Sequence, residues 1–119
     1  YPDKFGTAGV FSGSFWWRAS GDETALPPNK LIAHEMVKKG DHRPTFRAFF
    51  EAATRDEESD RDNNGVIDAI QDTLELITAL EKLGYQRGKE LAYLQVEDGR
   101  HDYGTWATVL APFLRWAFG

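Results

Sequence analysis

Between Val66 and Leu83 the apolar residues recur at steps of three or four: Ile67, Ile70, Leu74 and Ile77, joined by Leu76, Leu80 and Leu83. On an α-helix this spacing gathers them onto one wide face. A helix of about five turns with such a face needs a second apolar layer to lie on. Gly84 supplies its C-terminal stop, and Asp68 and Asp72 sit in its first turns, where the helix dipole favours anions. The flanking segments supply strands for that layer. Thr7 to Ser12 is a short apolar run between Gly6 and Gly13, read as a buried strand. Thr45 to Thr54 reads as a strand that turns apolar at Ala48, Phe49 and Phe50, and Glu90 to Val96 as a third. Further helices are expected over Lys30 to Lys39, ended by Gly40, and over Thr105 to Phe118, with Pro112 inside.

Strand and helix therefore alternate three times. That order predicts an α/β fold, three parallel strands with helices packed on them. Three strands leave an exposed edge, which predicts a covering partner: either more chain of the same domain or a second copy forming a homodimer. The 119 residues amount to one small domain, positions 1–119 being a portion of it, and Tyr1-Pro2-Asp3-Lys4-Phe5-Gly6 reads as the middle of a longer chain. The net charge of -5 and the lack of a basic stripe argue against a nucleic-acid partner. No run of about 18 apolar residues is present to span a membrane. The absence of cysteine excludes disulfides and thiolate metal sites and leaves the compartment open, exported or cytoplasmic.

In open parallel sheets, functional residues gather on loops at the C-terminal ends of the strands. Here those loops are Ser12–Trp17, Arg55–Asn64 and Glu97–Tyr103. A carboxylate-rich loop after the second strand, then His101 after the third, is the acid-then-base order of an α/β-hydrolase triad. The chemistry requires both: an imidazole to take a proton from a serine hydroxyl, and a carboxylate to fix its tautomer and stabilise the imidazolium. Asp56 is the choice of acid, with Glu57 and Glu58 as alternatives. Ser12, Trp16 and Trp17, following the first strand, are candidates to line the substrate site. Trp106, Phe113, Trp116 and Phe118 have helical spacing and read as core, while His34 and His42 read as structural.

The stretch Gly9-Val10-Phe11-Ser12-Gly13-Ser14-Phe15-Trp16-Trp17 resembles a segment of an esterase family that includes enterochelin-esterase-like and feruloyl-esterase-like enzymes. So do Gly99-Arg100-His101-Asp102 with Trp106 and the ending Leu110-Ala111-Pro112-Phe113-Leu114-Arg115-Trp116-Ala117-Phe118-Gly119. The resemblance covers nearly the whole chain. It implies the C-terminal half of an α/β-hydrolase fold, with His101 as catalytic base and a small-molecule carboxylic ester (siderophore-type, feruloyl or acetyl) as substrate. The family places the acid just after its strand, where this chain has Ala53-Thr54-Arg55-Asp56. No Gly-x-Ser-x-Gly occurs, so the nucleophile is expected in an N-terminal half outside these residues, and the chain alone is expected to be inactive.

A second motif overlaps the acid loop. Asp60-Arg61-Asp62-Asn63-Asn64-Gly65-Val66-Ile67-Asp68 matches the first nine positions of a calcium loop, with Asp60, Asp62, Asn64 and Asp68 as candidate oxygen ligands. Gln71 stands where the bidentate glutamate belongs. The other reading of this segment is a turn whose side chains cap the following helix without metal. Rival functions are thus a non-catalytic calcium-binding or interaction module and a peptidase of the same fold; the esterase itself requires no cofactor.

Overall fold

The computed structural model describes residues 4–19 and 30–119. Six elements follow in the expected order: β1 (Thr7–Phe11), α1 (Ile32–Lys38), β2 (Arg47–Arg55), α2 (Asp68–Lys82), β3 (Leu91–Arg100) and α3 (Tyr103–Phe118). The strands form one parallel sheet in the order β1-β2-β3. The chain is thus an α/β structure with a three-stranded parallel sheet, as its strand–helix alternation predicts.

The pleat of β2 divides the core. Ala48 and Phe50 point into a cluster with Leu76, Ile77 and Leu80 of α2, together with Tyr85 and Leu91. On the opposite face Phe49 stacks edge-on against Phe113 of α3, centroids 5.6 Å apart, and lies 5.7 Å from Trp116. Phe11 of β1 completes this aromatic group, 5.7 Å from Phe113. The close approach of α3 uses Gly9, where a Cβ would stand 2.8 Å from the Phe113 ring. Nearly every residue of β2 is buried, which is why it reads as a continuous apolar run rather than an alternating one.

The end of β3, the start of α3 and the burial of Phe118 differ from the sequence reading. Strand β3 continues to Arg100, so most of the expected loop Glu97–Tyr103 is strand. It does so through a bulge: Ala53 pairs with Val96 and Arg55 with Arg100, so Thr54 alone faces Glu97, Asp98 and Gly99. Asp98 takes a left-handed φ of 57°, and its N–H donates to Thr54 Oγ1 at 2.8 Å. Helix α3 starts at Tyr103, capped by the Asp102 carboxylate accepting from the Thr105 N–H at 2.8 Å. Phe118, expected in the core, is 77% exposed, because it lies on the side of α3 turned from the sheet together with exposed Leu110 and Leu114.

Candidate active site

The C-terminal ends of the three strands meet at one rim. Asp56 is two residues past the register shift on β2, where the chain turns back and the Ala53 N–H donates to Asp56 Oδ2 at 2.9 Å. His101 follows directly on β3. The bulge opposite Thr54 brings the two turns together, with His101 Nδ1 3.7 Å from Asp56 Oδ1. The Asp56 side chain is 2% exposed and the imidazole 53%. A buried carboxylate thus backs a half-exposed ring, leaving the ring's far side open. The imidazole edge lies against Trp106, centroids 5.1 Å apart. At 3.7 Å the two atoms stand beyond hydrogen-bond distance but within that of an ion pair.

Of the three candidate acids, only Asp56 pairs with His101. Glu57 lines the adjoining cleft, and Glu58 is exposed. The cleft holds about 280 Å³ and is lined by Ser12, Gly13, Ser14, Trp16, Asp56, Glu57, Ala69 and His101. Trp16 therefore sits where a substrate-lining residue was expected. Trp17 does not line this cleft; it is 59% exposed and lies against Trp16, centroids 6.1 Å apart.

Ser12 lines the cleft but is committed to the protein. It leaves β1 with a left-handed φ of 47° and is buried. Its hydroxyl donates to Asp56 Oδ1 at 2.9 Å and accepts from the Trp106 indole N–H at 2.9 Å. Its backbone N–H donates to Glu51 Oε2 at 3.1 Å, and that oxygen lies 3.4 Å from the hydroxyl. Ser12 thus anchors the acid rather than presenting a free group to a substrate.

Two further residues of the site were not singled out from the sequence as chemical groups. Glu51 lies mid-strand on β2 and is 1% exposed, with Oε1 buried and unpartnered. Burial, then the neighbouring Asp56 charge, pushes its carboxyl up to about 7, against the pull of the Ser12 hydrogen bonds. The signal was available: one carboxylate inside Ala48-Phe49-Phe50-Glu51-Ala52-Ala53, an otherwise apolar strand. Trp106 reads from its spacing as a core aromatic. Only the structure reveals its polar edge at work. On β3, Tyr93 is held up to about 12 by burial and then by the charges of Glu51, Asp56 and Glu97.

The other two histidines are structural: His34 Nε2 lies 2.9 Å from the Asp72 carbonyl, and His42 Nε2 3.0 Å from Glu90. In the acidic loop, Asp60 accepts from the N–H groups of Asn64 and Gly65, and Asn64 Oδ1 from that of Val66. Asp62 accepts from Gln71 Nε2, and Asp68 from the Arg61 N–H and guanidinium. These are the bonds of an Asx-rich turn. Among the described residues no group of three or more His, Asp or Glu side chains converges as a metal site.

Compared with known proteins, this chain matches no family model, no curated protein and no solved structure.

Proposed function

We propose that this chain is the acid- and base-bearing half of an α/β-hydrolase domain, and that the protein it belongs to is a serine esterase acting on carboxylic esters. The observation that carries this reading is the juxtaposition of buried Asp56 with half-exposed His101 across neighbouring strand ends, beside a cleft. The acid-then-base chain order and the resemblance of both chain ends to an esterase family support it.

In this reading the serine comes from a segment outside these residues. Its hydroxyl attacks the ester carbonyl and gives its proton to His101 Nε2, and the tetrahedral intermediate collapses as the imidazolium returns that proton to the leaving alcohol. Water then repeats the exchange on the acyl-enzyme. Asp56, facing Nδ1, holds the tautomer and stabilises the imidazolium. Trp16 forms one wall of the cleft that receives the substrate.

The rest of the domain is the first partner this reading requires. Among the described residues β1 pairs on one side only, and Phe5, Leu110, Leu114 and Phe118 are exposed. The remaining half, or failing that a second copy of this chain, covers that edge. Among the described residues no helix is long and apolar enough to cross a membrane.

The test is hydrolysis of nitrophenyl esters by the full-length protein, beside peptide substrates that a peptidase of the same fold would cleave. His101→Ala is expected to lower ester turnover by about 10³-fold or more. Undiminished turnover in that variant overturns the reading, and peptide cleavage without ester cleavage moves it to a peptidase.

A further inference from the structure

The hydroxyl of Ser12 has one hydrogen to give and two lone pairs to fill. Its surroundings offer two carboxyl groups and one indole. Asp56 Oδ1 lies 2.9 Å away, Glu51 Oε2 3.4 Å, and Trp106 Nε1 2.9 Å. Two carboxylates would compete for the single hydrogen. If Glu51 carries a proton, the competition ends: Oε2, which accepts from the Ser12 backbone N–H at 3.1 Å, no longer draws the serine hydrogen as a charged acceptor, Trp106 fills one lone pair of the hydroxyl, and the hydrogen has Asp56 left as its acceptor. Asp56 then receives the Ser12 hydroxyl on Oδ1 and the Ala53 N–H on Oδ2, which fixes its plane relative to His101.

We propose that Glu51 and Trp106 are positioning residues that clamp the Ser12 hydroxyl so that it donates to Asp56, and thereby hold the acid in the orientation His101 needs. This rests on the esterase reading for its consequence but not for its geometry. The burial of Glu51 supports it, since a carboxyl pushed up to about 7 is largely neutral just below that pH. The ionisable groups that bear on Glu51 are Asp56 from the loop after β2 and Tyr93 from β3, with His101 beyond Asp56; β1 and α3 present the uncharged Ser12 and Trp106. Neither Glu51 nor Trp106 lines the cleft, so both act through Ser12 and Asp56 and are not catalytic residues themselves.

Glu51→Gln keeps an uncharged polar side chain beside Ser12 at every pH, and Glu51→Leu removes it. In the full-length protein, Glu51→Gln should keep kcat near pH 6 within about 3-fold and abolish the fall in kcat above pH 7 that loss of the Glu51 proton causes in the wild type, while the acidic limb that a histidine base gives stays common to both. Glu51→Leu should lower kcat about 10-fold or more with little change in KM, since the cleft lining is untouched. Should the leucine variant not fold, the glutamine profile decides alone: superposition on the wild-type profile overturns the clamp. A second readout needs no turnover. Because the His101 ring lies against Trp106, the measurement is made with His101→Ala in place: the Trp106 indole N–H resonance should then shift with a midpoint near pH 7 when Glu51 is present and stay still with Glu51→Gln added. A resonance unmoved between pH 5 and 9 in the His101→Ala protein overturns the clamp. Loss of the esterase reading alone, with that resonance still titrating, leaves the clamp standing.

Discussion

At the residue scale, the site depends on where two carboxyl groups differ. Asp56 and Glu51 are both buried, yet Asp56 receives one donor on each oxygen, whereas Glu51 has an oxygen with none. That contrast leaves Asp56 held in place as the partner of His101 and makes Glu51 the easily protonated carboxyl. Asp56→Asn would keep the shape but present an amide to the imidazole. It is expected to lower kcat by about 10³- to 10⁴-fold while leaving KM and the unfolding midpoint near those of the wild type. Glu51 also makes stability depend on pH. The folded state binds its proton up to about 7, whereas the unfolded chain releases it near 4.5. The folded state therefore carries more protons between these values, and stability falls as pH rises through that window, levelling off above it. Urea unfolding at a series of pH values should show this fall in the wild type and a flatter line in Glu51→Gln. Equal slopes in the two proteins would rule out Glu51 as the source.

At the element scale, the helices and strands were legible because each has a strong local signature. The period of α2, the Gly84 that follows it and the apolar run of β2 all lie within the chain segments themselves. What sequence reading lacked was the end of β3. Glu97-Asp98-Gly99-Arg100 looks like a loop because it is charged and holds an Asp-Gly pair, and it is instead a bulge in a continuing strand. The site was legible in part for the same reason. Asp56 and His101 follow from chain order, whereas the Trp106–Ser12–Glu51 contacts join residues up to 94 positions apart. The bulge needs Gly99, where a Cβ would stand 2.7 Å from Val96 Cγ1 and 2.9 Å from both Ala53 Cβ and Thr105 Cγ2. Crowded on three sides, Gly99→Ala should lose about 1–3 kcal/mol of stability, and it should also slow turnover by displacing the adjoining His101 turn. A variant with unchanged denaturant midpoint and unchanged turnover would show that the close approach is not required. The acidic loop behaves differently: its oxygens already satisfy the backbone N–H groups of Asn64, Gly65 and Val66 in the turn ahead of α2. Asp60→Ala should therefore lower stability by about 1 kcal/mol in the presence of a chelator, as loss of side-chain hydrogen bonds to backbone N–H groups does. Millimolar calcium tests the metal reading of that loop, which a rise in the wild-type melting temperature would support.

At the scale of the whole molecule, the sheet presents its chemistry at one rim, and among the described residues its two outer strands each pair on one side only. β1 is one of these edges, and the order β1-β2-β3 sets Ser12, Asp56 and His101 on successive strand ends. Under the esterase reading the remaining half of the domain pairs with β1 and brings its serine toward the open side of His101. The direct measurement is covalent labelling of the full-length protein with a fluorophosphonate, which reacts with a serine only when a neighbouring base activates it. The account predicts one labelled serine, outside residues 1–119, and labelling slowed by at least about 100-fold in His101→Ala. Labelling that proceeds at the wild-type rate without His101, or a wild-type protein that is not labelled at all, would contradict it.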